Sequence, residues 1–248
     1  KKDGVLPFYF GFKDTWTTLA PWNALAVSLA PATITQSVNE GKTTFTKSYS
    51  ELADKMKALL QYGEKEVAAY GYNDACTAFA KGQSAMYTIG SYAIPQILSS
   101  NPKMDIGSFV MPANNDASKN NLNSGIDLMF GVTKACKHKK EAYEVLDFLL
   151  KKQNLQKYIN AQRALPCVTG QFTLPKQFSD MNPWIQSGQM VDFQDHHYPA
   201  SMGCDALIQS YVLSGNKQAF LKKWDQDWKR YNRDIIRKVQ DYNKTHNS

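Results

Sequence analysis

The sequence predicts an α/β fold, because short apolar segments typical of strands alternate along the chain with amphipathic segments typical of helices. Residues 5–12 are rich in aromatic side chains and have an alternating pattern of side chains, which predicts a strand. Residues 84–89, which end at Gly90 and Ser91, predict another. Residues 139–151 predict an amphipathic helix with one apolar face, formed by Ala142, Val145, Leu146, Leu149 and Leu150. A chain of 248 residues has room for one large domain or two small ones.

The alternation typical of strands and the spacing typical of helices predict the remaining elements. Extended segments are expected at residues 45–47, 105–111 and 125–133. Helices are expected at residues 16–29, 50–63, 74–81, 155–163, 179–188 and 207–213, with one long helix at residues 218–242. Within the long helix, Trp224, Trp228 and Tyr231 recur at helical spacing, so we expect all three to pack in the core.

Two breaks interrupt this pattern. Residues 113–123 form a polar stretch with five asparagines, which is the best candidate for a linker or a crossover. A second break falls at residues 166–170. Together they suggest that the chain passes between two bodies.

Composition narrows the classes of partner. The net charge of +7 is dispersed, and no motif that binds DNA or RNA accompanies it, so we expect no nucleic acid. No stretch of the sequence is long and apolar enough to suggest a membrane span. The four cysteines, Cys76, Cys136, Cys167 and Cys204, form no C-x-x-C pair. Two disulfides in any of three pairings and free buried thiols both remain open, and Cys76 and Cys136 are expected to face the core.

Motifs for catalysis are absent from the sequence, which contains no G-x-S-x-G, H-E-x-x-H, P-loop or dinucleotide fingerprint. One cluster holds metal-ligand residue types: Asp192, Asp195, His196 and His197. Adjacent histidines in an extended segment point to opposite sides, so we expect no metal, and no cofactor is indicated. Nothing marks a particular pair of carboxylates for glycoside hydrolysis. A glycoside-acting enzyme and another kind of solute-binding module stay open as alternatives.

The most informative segment is residues 79–92. It predicts a helix end, a glycine turn, a strand of small residues, and a second glycine turn that delivers Tyr92. Tyr92 then lies near the carboxyl end of a strand, where open α/β sheets bind ligands. Its ring can stack on the C–H face of a sugar while its hydroxyl makes hydrogen bonds. The alternative is that Tyr92 is an ordinary core aromatic.

This segment resembles the F-x-x-G-x-x-A-M…G-x-W signature of the family 1 extracellular solute-binding proteins, the group of maltose-binding protein. Three further stretches match that family in the same order. Lys13-Asp14-Thr15-Trp16 resembles its K-D-x-W strand end, and residues 105–112 resemble its G-x-x-x-x-P strand. The last stretch begins at Asn123-Ser124-Gly125-Ile126 and continues through residues 139–150 to Ala164-Leu165-Pro166.

The resemblance implies a class II periplasmic-binding-protein-like fold of two α/β lobes with the ligand clamped between them. This chain would hold mostly the second lobe plus part of the first. Residues 1–112 would begin the second lobe with its start missing, and residues 113–170 would form part of the first lobe, including the hinge crossovers. Residues 171–248 would supply the carboxy-terminal helices of the second lobe. The chain is thus expected to be the carboxy-terminal portion of a longer one.

The resemblance also implies a function. The protein would capture a mono- or oligosaccharide and deliver it to the permease subunits of an ABC transporter, without catalysis. It would work as a cell-surface lipoprotein of a single-membrane bacterium, held by a lipid anchor outside this chain, or in a periplasm. The implied ligand-binding residues are Tyr92, where the family most often has Trp, and Trp16, Asp14, Asn123, Gly125, Asp127, Arg163 and Asp205.

Overall fold

The computed structural model describes residues 4–246. Its strands are β1 (Leu6–Tyr9), β2 (Ser84–Tyr87), β3 (Leu122–Asn123) and β4 (Met190–Val191). Its α-helices are α1 (Leu19–Leu29), α2 (Ile34–Asn39), α3 (Phe45–Ser48), α4 (Ser50–Leu60), α5 (Tyr72–Ala80), α6 (Ala93–Ser100), α7 (Lys139–Leu150), α8 (Lys152–Gln162), α9 (Asn182–Ser187), α10 (Cys204–Ser214), α11 (Lys217–Tyr231) and α12 (Arg233–His246). Short 3-10 turns connect several of them, including one at Thr15–Thr18.

Parallel pairing organises the strands. β1 pairs with β2 in parallel, with Leu6 opposite Ser84 and Tyr9 opposite Tyr87. β3 pairs with β4 in the same sense, with Leu122 opposite Met190. Parallel neighbours need a long crossover, and helices α1 to α5 form the one between β1 and β2. The carboxyl ends of β1 and β2 therefore open at the same edge.

The main core is a cluster of large aromatic side chains. Trp22 from α1 stacks on Trp224 from α11, with ring centroids 5.4 Å apart and planes at 27°. The Trp22 indole N–H donates to the Tyr198 hydroxyl at 3.3 Å, and that hydroxyl lies 2.8 Å from the Tyr49 hydroxyl. Buried polar atoms of aromatic side chains need such partners, so these bonds tie α1 to Tyr49, the residue before α4, through Tyr198, while the ring stacking joins α1 to α11.

A second, smaller cluster lies beneath β2 and joins α5 to α6. Its buried members include Cys76, Ile94, Ile97, Ile106 and Phe178. Tyr72 and Tyr87 pack against it, and this cluster therefore supports the carboxyl edge of β1 and β2 from below.

Helix predictions are largely confirmed, with two corrections. Residues 45–47 are helical rather than extended, because Thr44 caps α3 and the Asp225 carboxylate accepts the Phe45 amide at 2.8 Å. The single helix predicted for residues 218–242 is two helices that meet at the buried Asn232. Trp224 and Trp228 are buried as predicted, whereas Tyr231 is 39% exposed.

Two predicted strands are wrong. Neither residues 105–111 nor residues 125–133 form strands in the structure. A strand needs a neighbour to complete its ladder, and within residues 4–246 no strand pairs with either segment. Residues 125–133 are instead highly accessible, with Ile126 66%, Met129 79% and Phe130 65% exposed. Alternating apolar residues alone did not specify a ladder.

The polar stretch 113–123 lies against α1. The Asn114 amide donates to the Ser28 carbonyl at 3.1 Å, and the Asn121 side chain donates to the Val27 carbonyl at 2.7 Å. The stretch then enters β3, beside β4, which follows α9. Two segments that are distant in sequence thus pair side by side at β3 and β4. The division into lobes at residues 113 and 170 stays a prediction.

Helix α7 forms where the sequence predicts it, but its apolar face is open. Val145 is 58% exposed, and Leu149 and Leu150 are 40% and 47% exposed. Residues 126–130 are accessible and largely apolar as well, and exposed apolar side chains in such numbers are unusual on an isolated globular body. No helix within residues 4–246 has the length and apolar character that crossing a membrane requires.

We predict that Trp224→Ala lowers the free energy of unfolding by about 3–5 kcal/mol, because it removes a fully buried ring from the main core. Tyr242→Ala is the matched control, since Tyr242 is 61% exposed, and it should change stability by less than about 1 kcal/mol. Urea unfolding measured by circular dichroism compares the two. Equal losses would contradict the described core.

Candidate functional site

Three aromatic rings meet at the carboxyl edge of β1 and β2. The ring centroids of Trp16 and Tyr72 are 5.2 Å apart, those of Trp16 and Tyr92 6.1 Å, and those of Tyr72 and Tyr92 6.4 Å. Trp16 and Tyr92 are each 42% exposed, although their rings contact neighbours. We call Trp16, Tyr72 and Tyr92 the ring platform.

Strand direction brings these rings together. Trp16 lies in the 3-10 turn that follows β1, and Tyr92 lies in the loop that follows β2. Because β1 and β2 are parallel, both loops emerge at the same edge. Tyr72 arrives from a third direction as the first residue of α5.

Gly90 sets the position of the Tyr92 ring. A Cβ atom at residue 90 would overlap Cε1 and Cδ1 of Tyr92, so the ring lies flat against the glycine backbone. This is a close approach that only glycine permits. The G-x-Y spacing of Gly90 and Tyr92 therefore has a physical reason within this chain.

Asp14 joins two parts of the platform. Its Oδ2 accepts the backbone N–H of Tyr72 at 2.7 Å, so the carboxylate lies at the amino terminus of α5, where negative charge is stabilised. Gly71 makes room for it, since a Cβ there would lie 2.7 Å from Oδ2. The sequence predicted Asp14 as a ligand contact, and the structure shows it bonded to the element that carries Tyr72.

Asp205 holds the same turn from another side. The Thr15 hydroxyl donates to its carboxylate, and the Thr18 hydroxyl donates to its backbone carbonyl at 3.2 Å. Asp205 lies in the first turn of α10. The predicted residues Asp14, Trp16 and Asp205 are therefore brought together around one short turn.

The carboxylates of Asp127 and Asp195 act electrostatically on the Tyr92 hydroxyl. Burial raises the pKa of Tyr92 to about 12, a hydrogen bond from the Gly90 backbone opposes that shift, and the two carboxylates add to it. The hydroxyl thus stays protonated at neutral pH and can donate as well as accept a hydrogen bond. Asp195 was not predicted as a ligand contact; it accepts the Asn23 amide at 2.8 Å.

Asn123 and Gly125 lie on the β3 segment that leads to Asp127. The Asn123 amide donates to the Val191 carbonyl at 3.3 Å, which supports the pairing of β3 with β4. A Cβ at Gly125 would overlap the Asp192 carboxylate, so the glycine allows the two passages to approach. Both residues have structural contacts of their own, beside any contact with a ligand.

Arg163 is not brought to the ring platform by its observed contacts. It ends α8 in the left-handed conformation, with φ 53°, and its guanidinium donates to the Asn160 carbonyl of the same helix. Its predicted role on sugar hydroxyls stays a prediction.

Tyr72 is the site residue that sequence reasoning missed. Its only local signal is that it follows Gly71 at the start of a helix, which does not indicate where the ring points. What places it is the tight contact of two backbones, because a Cβ at Gly11 would lie 3.1 Å from the Gly71 carbonyl carbon.

The histidine cluster differs from its prediction. Gln194–His197 is a 3-10 turn rather than an extended segment, and both histidines approach one carboxylate. His196 Nδ1 lies 3.0 Å and His197 Nε2 3.7 Å from the oxygens of Asp192. Within residues 4–246, no three potential ligands among His, Cys, Asp and Glu converge to hold a metal ion.

The four cysteines are free thiols. Cys76 is buried as predicted, Cys136 is partly buried, and Cys167 is exposed. Burial raises the pKa of Cys76 to about 11, and the hydroxyls of Tyr72 and Tyr87 near it partly offset that effect. Cys76 therefore stays an uncharged thiol beneath the ring platform.

Residues 1–156, more than half of the chain, match the sequence profile of the bacterial extracellular solute-binding proteins. The chain belongs to this family. A curated relative, the multiple sugar-binding protein of Streptococcus mutans, is 30% identical over 135 residues, which is 54% of this chain and 30% of that protein.

Solved structures share the fold of this solute-binding protein. RafE of Streptococcus pneumoniae in complex with raffinose aligns with a TM-score of 0.75 at 19% identity, over 96% of this chain and 62% of its own. A chitin oligosaccharide binding protein aligns with a TM-score of 0.79 at 20% identity, over 93% and 61% of the two chains. The predicted periplasmic-binding-protein-like fold is confirmed, and the chain spans about three fifths of these structures.

We predict that Gly90→Ala moves the Tyr92 ring off the backbone, because the added Cβ would occupy the space of the ring. The indole N–H resonance of Trp16, assigned by its loss in Trp16→Phe, should then shift as the ring current of Tyr92 changes. Gly107→Ala is the control, since its nearest neighbouring atom is 4.0 Å away. An unchanged Trp16 resonance in Gly90→Ala would contradict the described platform.

Proposed function

We propose that this solute-binding protein captures a mono- or oligosaccharide on the ring platform and delivers it to the permease subunits of an ABC importer. The observation that carries the proposal is the pair of half-exposed rings, Trp16 and Tyr92, which contact each other and Tyr72 at one edge. Aromatic faces match the C–H faces of sugars, and nearby carboxylates match their hydroxyls. Binding of this kind involves no covalent step.

The comparisons support a carbohydrate as the solute. A multiple sugar-binding protein, a raffinose complex and a chitin oligosaccharide binding protein all stand among its relatives and structural neighbours. These names describe those proteins. We therefore propose the class, sugars of one or several residues, and leave the individual sugar to measurement.

We also propose that the ring platform forms one wall of a cleft. The second wall would belong to a first lobe, to which residues 113–170 contribute. Two observations support this division: parallel passages meet at β3 and β4, and the apolar face of α7 and residues 126–130 is open. The remainder of the first lobe would cover that face. The family works outside the cytoplasmic membrane, and we propose a lipid-anchored or periplasmic receptor.

Saturation-transfer difference NMR tests the solute class, because it detects the weak binding expected of a single wall. Raffinose, stachyose and chitotriose are compared with amino acids and a tripeptide. We expect transfer to the ring protons of at least one sugar and none to the other solutes. Signals from a different solute class without any sugar would overturn the proposal.

We predict that Tyr92→Ala and Trp16→Ala each cost about 1–3 kcal/mol of sugar-binding free energy, or roughly 5- to 150-fold in affinity. Each variant removes one stacking face. Tyr62→Ala is the control, because Tyr62 is 50% exposed and is not part of the ring platform. Isothermal titration with the sugar that binds most tightly gives the values. Unchanged affinity in both ring variants would remove the platform from the site.

A further inference from the structure

The surroundings of the ring platform have a charge opposite to that of the whole protein. The chain carries +7, and residues 217–246 hold nine Lys and Arg against four Asp, a net +5. These residues form α11 and α12, which pack against α2, α3 and α10. The excess positive charge therefore lies mainly on two helices that do not contribute to the platform.

Two carboxylates are hydrogen-bonded to the elements that carry the rings, and two more act on Tyr92 electrostatically. Asp14 accepts the Tyr72 amide, and Asp205 accepts the hydroxyl of Thr15, the neighbour of Trp16. The negative charges of Asp127 and Asp195 help to raise the pKa of the Tyr92 hydroxyl. The four residues come from four different parts of the chain, so only the fold assembles them.

None of these charges is neutralised by an ion pair. The hydrogen-bond donors to Asp14, Asp195 and Asp205 are an amide N–H, a side-chain amide and a hydroxyl, all uncharged. Over residues 4–246, no Lys, Arg or His nitrogen lies within 4.0 Å of any of the four carboxylates. Lys13, next to Asp14, is the nearest Lys or Arg to any of them in the sequence, and it is exposed.

We infer that the ring platform selects uncharged sugars and rejects acidic ones, such as uronic acids and sugar phosphates. Uncompensated carboxylates accept hydrogen bonds from neutral hydroxyls but repel a carboxylate or a phosphate, and like charges brought together suppress the wrong partner. The inference deepens the proposed function and rests on it. Asp127, exposed and without a hydrogen bond in the described residues, is the carboxylate whose charge can be removed with least structural cost.

A first experiment measures the local potential without any sugar. Trp16 is 42% exposed and Trp184 is partly buried, whereas Trp22, Trp224 and Trp228 are at most 1% exposed, so ionic quenchers reach Trp16 far more readily than the three buried tryptophans. Quenching by caesium and by iodide is each divided by the value for free N-acetyltryptophanamide, and Trp16→Phe identifies the contribution of Trp16. We expect the normalised quenching constant for caesium to be at least twice that for iodide. At high salt, which screens the local charge, the two constants should become similar. A larger iodide value, as the net charge alone would give, overturns the inference.

A second experiment measures selectivity with matched ligands. Raffinose is compared with raffinose oxidised to a carboxylate at C6 of its galactose, and with the methyl ester of that acid. We expect the acid to bind about tenfold or more weakly than the ester. Asp127→Asn should narrow that ratio, while Asp241→Asn, the same charge change on α12, should not.

The outcomes separate the two proposals. If the acid binds as well as the ester, the charge inference fails and sugar capture stands. If no sugar binds in any form, the proposed function fails, whatever the quenching shows. If neither the ester nor the acid binds while raffinose does, the quenching constants for caesium and iodide alone decide whether the charge inference holds.

Discussion

The parallel pairing of β1 with β2 is the constraint on which the site depends. It sends two loops out at one edge, and each loop carries an aromatic residue a few positions past its strand. In an antiparallel pair, Trp16 and Tyr92 would leave from opposite edges. The main core, with Trp22, Tyr49 and Trp224, holds α1 against α11 and so anchors the first of these loops.

Small residues and carboxylates convert that edge into a platform. Gly90 lets the Tyr92 ring lie on the backbone, and Gly71 lets Asp14 reach the amino terminus of α5. Asp14 therefore holds the amino terminus of α5 through its hydrogen bond and also places a negative charge beside the rings. The same holds for Asp205, which fixes the Thr15 turn while adding negative charge beside Trp16. Asp14 and Asp205 therefore both position the ring platform and place negative charge beside it.

The sequence predicted those features of the site and core that depend on residues close together in the chain. The glycine turn after a predicted strand was enough to expect Tyr92 at a ligand edge, whereas Trp16 was expected there only from the family resemblance. Helical spacing was enough to predict that Trp224 and Trp228 are buried. Tyr72 escaped notice because its place follows from the contact of Gly11 with Gly71, sixty positions apart in sequence. Residues 125–133 have the alternation of a strand, but a strand needs a paired neighbour, and no strand within residues 4–246 pairs with them. The sequence singles out Asp195 only for its histidine neighbours, whereas its hydrogen bond with Asn23 and its electrostatic effect on Tyr92 depend on the fold.

Fluorine NMR of protein labelled with 5-fluorotryptophan tests whether the sugar binds on the ring platform. The five tryptophans give five resonances, each assignable by substitution with phenylalanine. On addition of raffinose or another sugar that binds, the account predicts a shift of the Trp16 resonance, while those of the buried Trp22, Trp224 and Trp228 stay in place. A saturable shift of a different tryptophan, with Trp16 unchanged, would contradict the placement of the sugar on the ring platform.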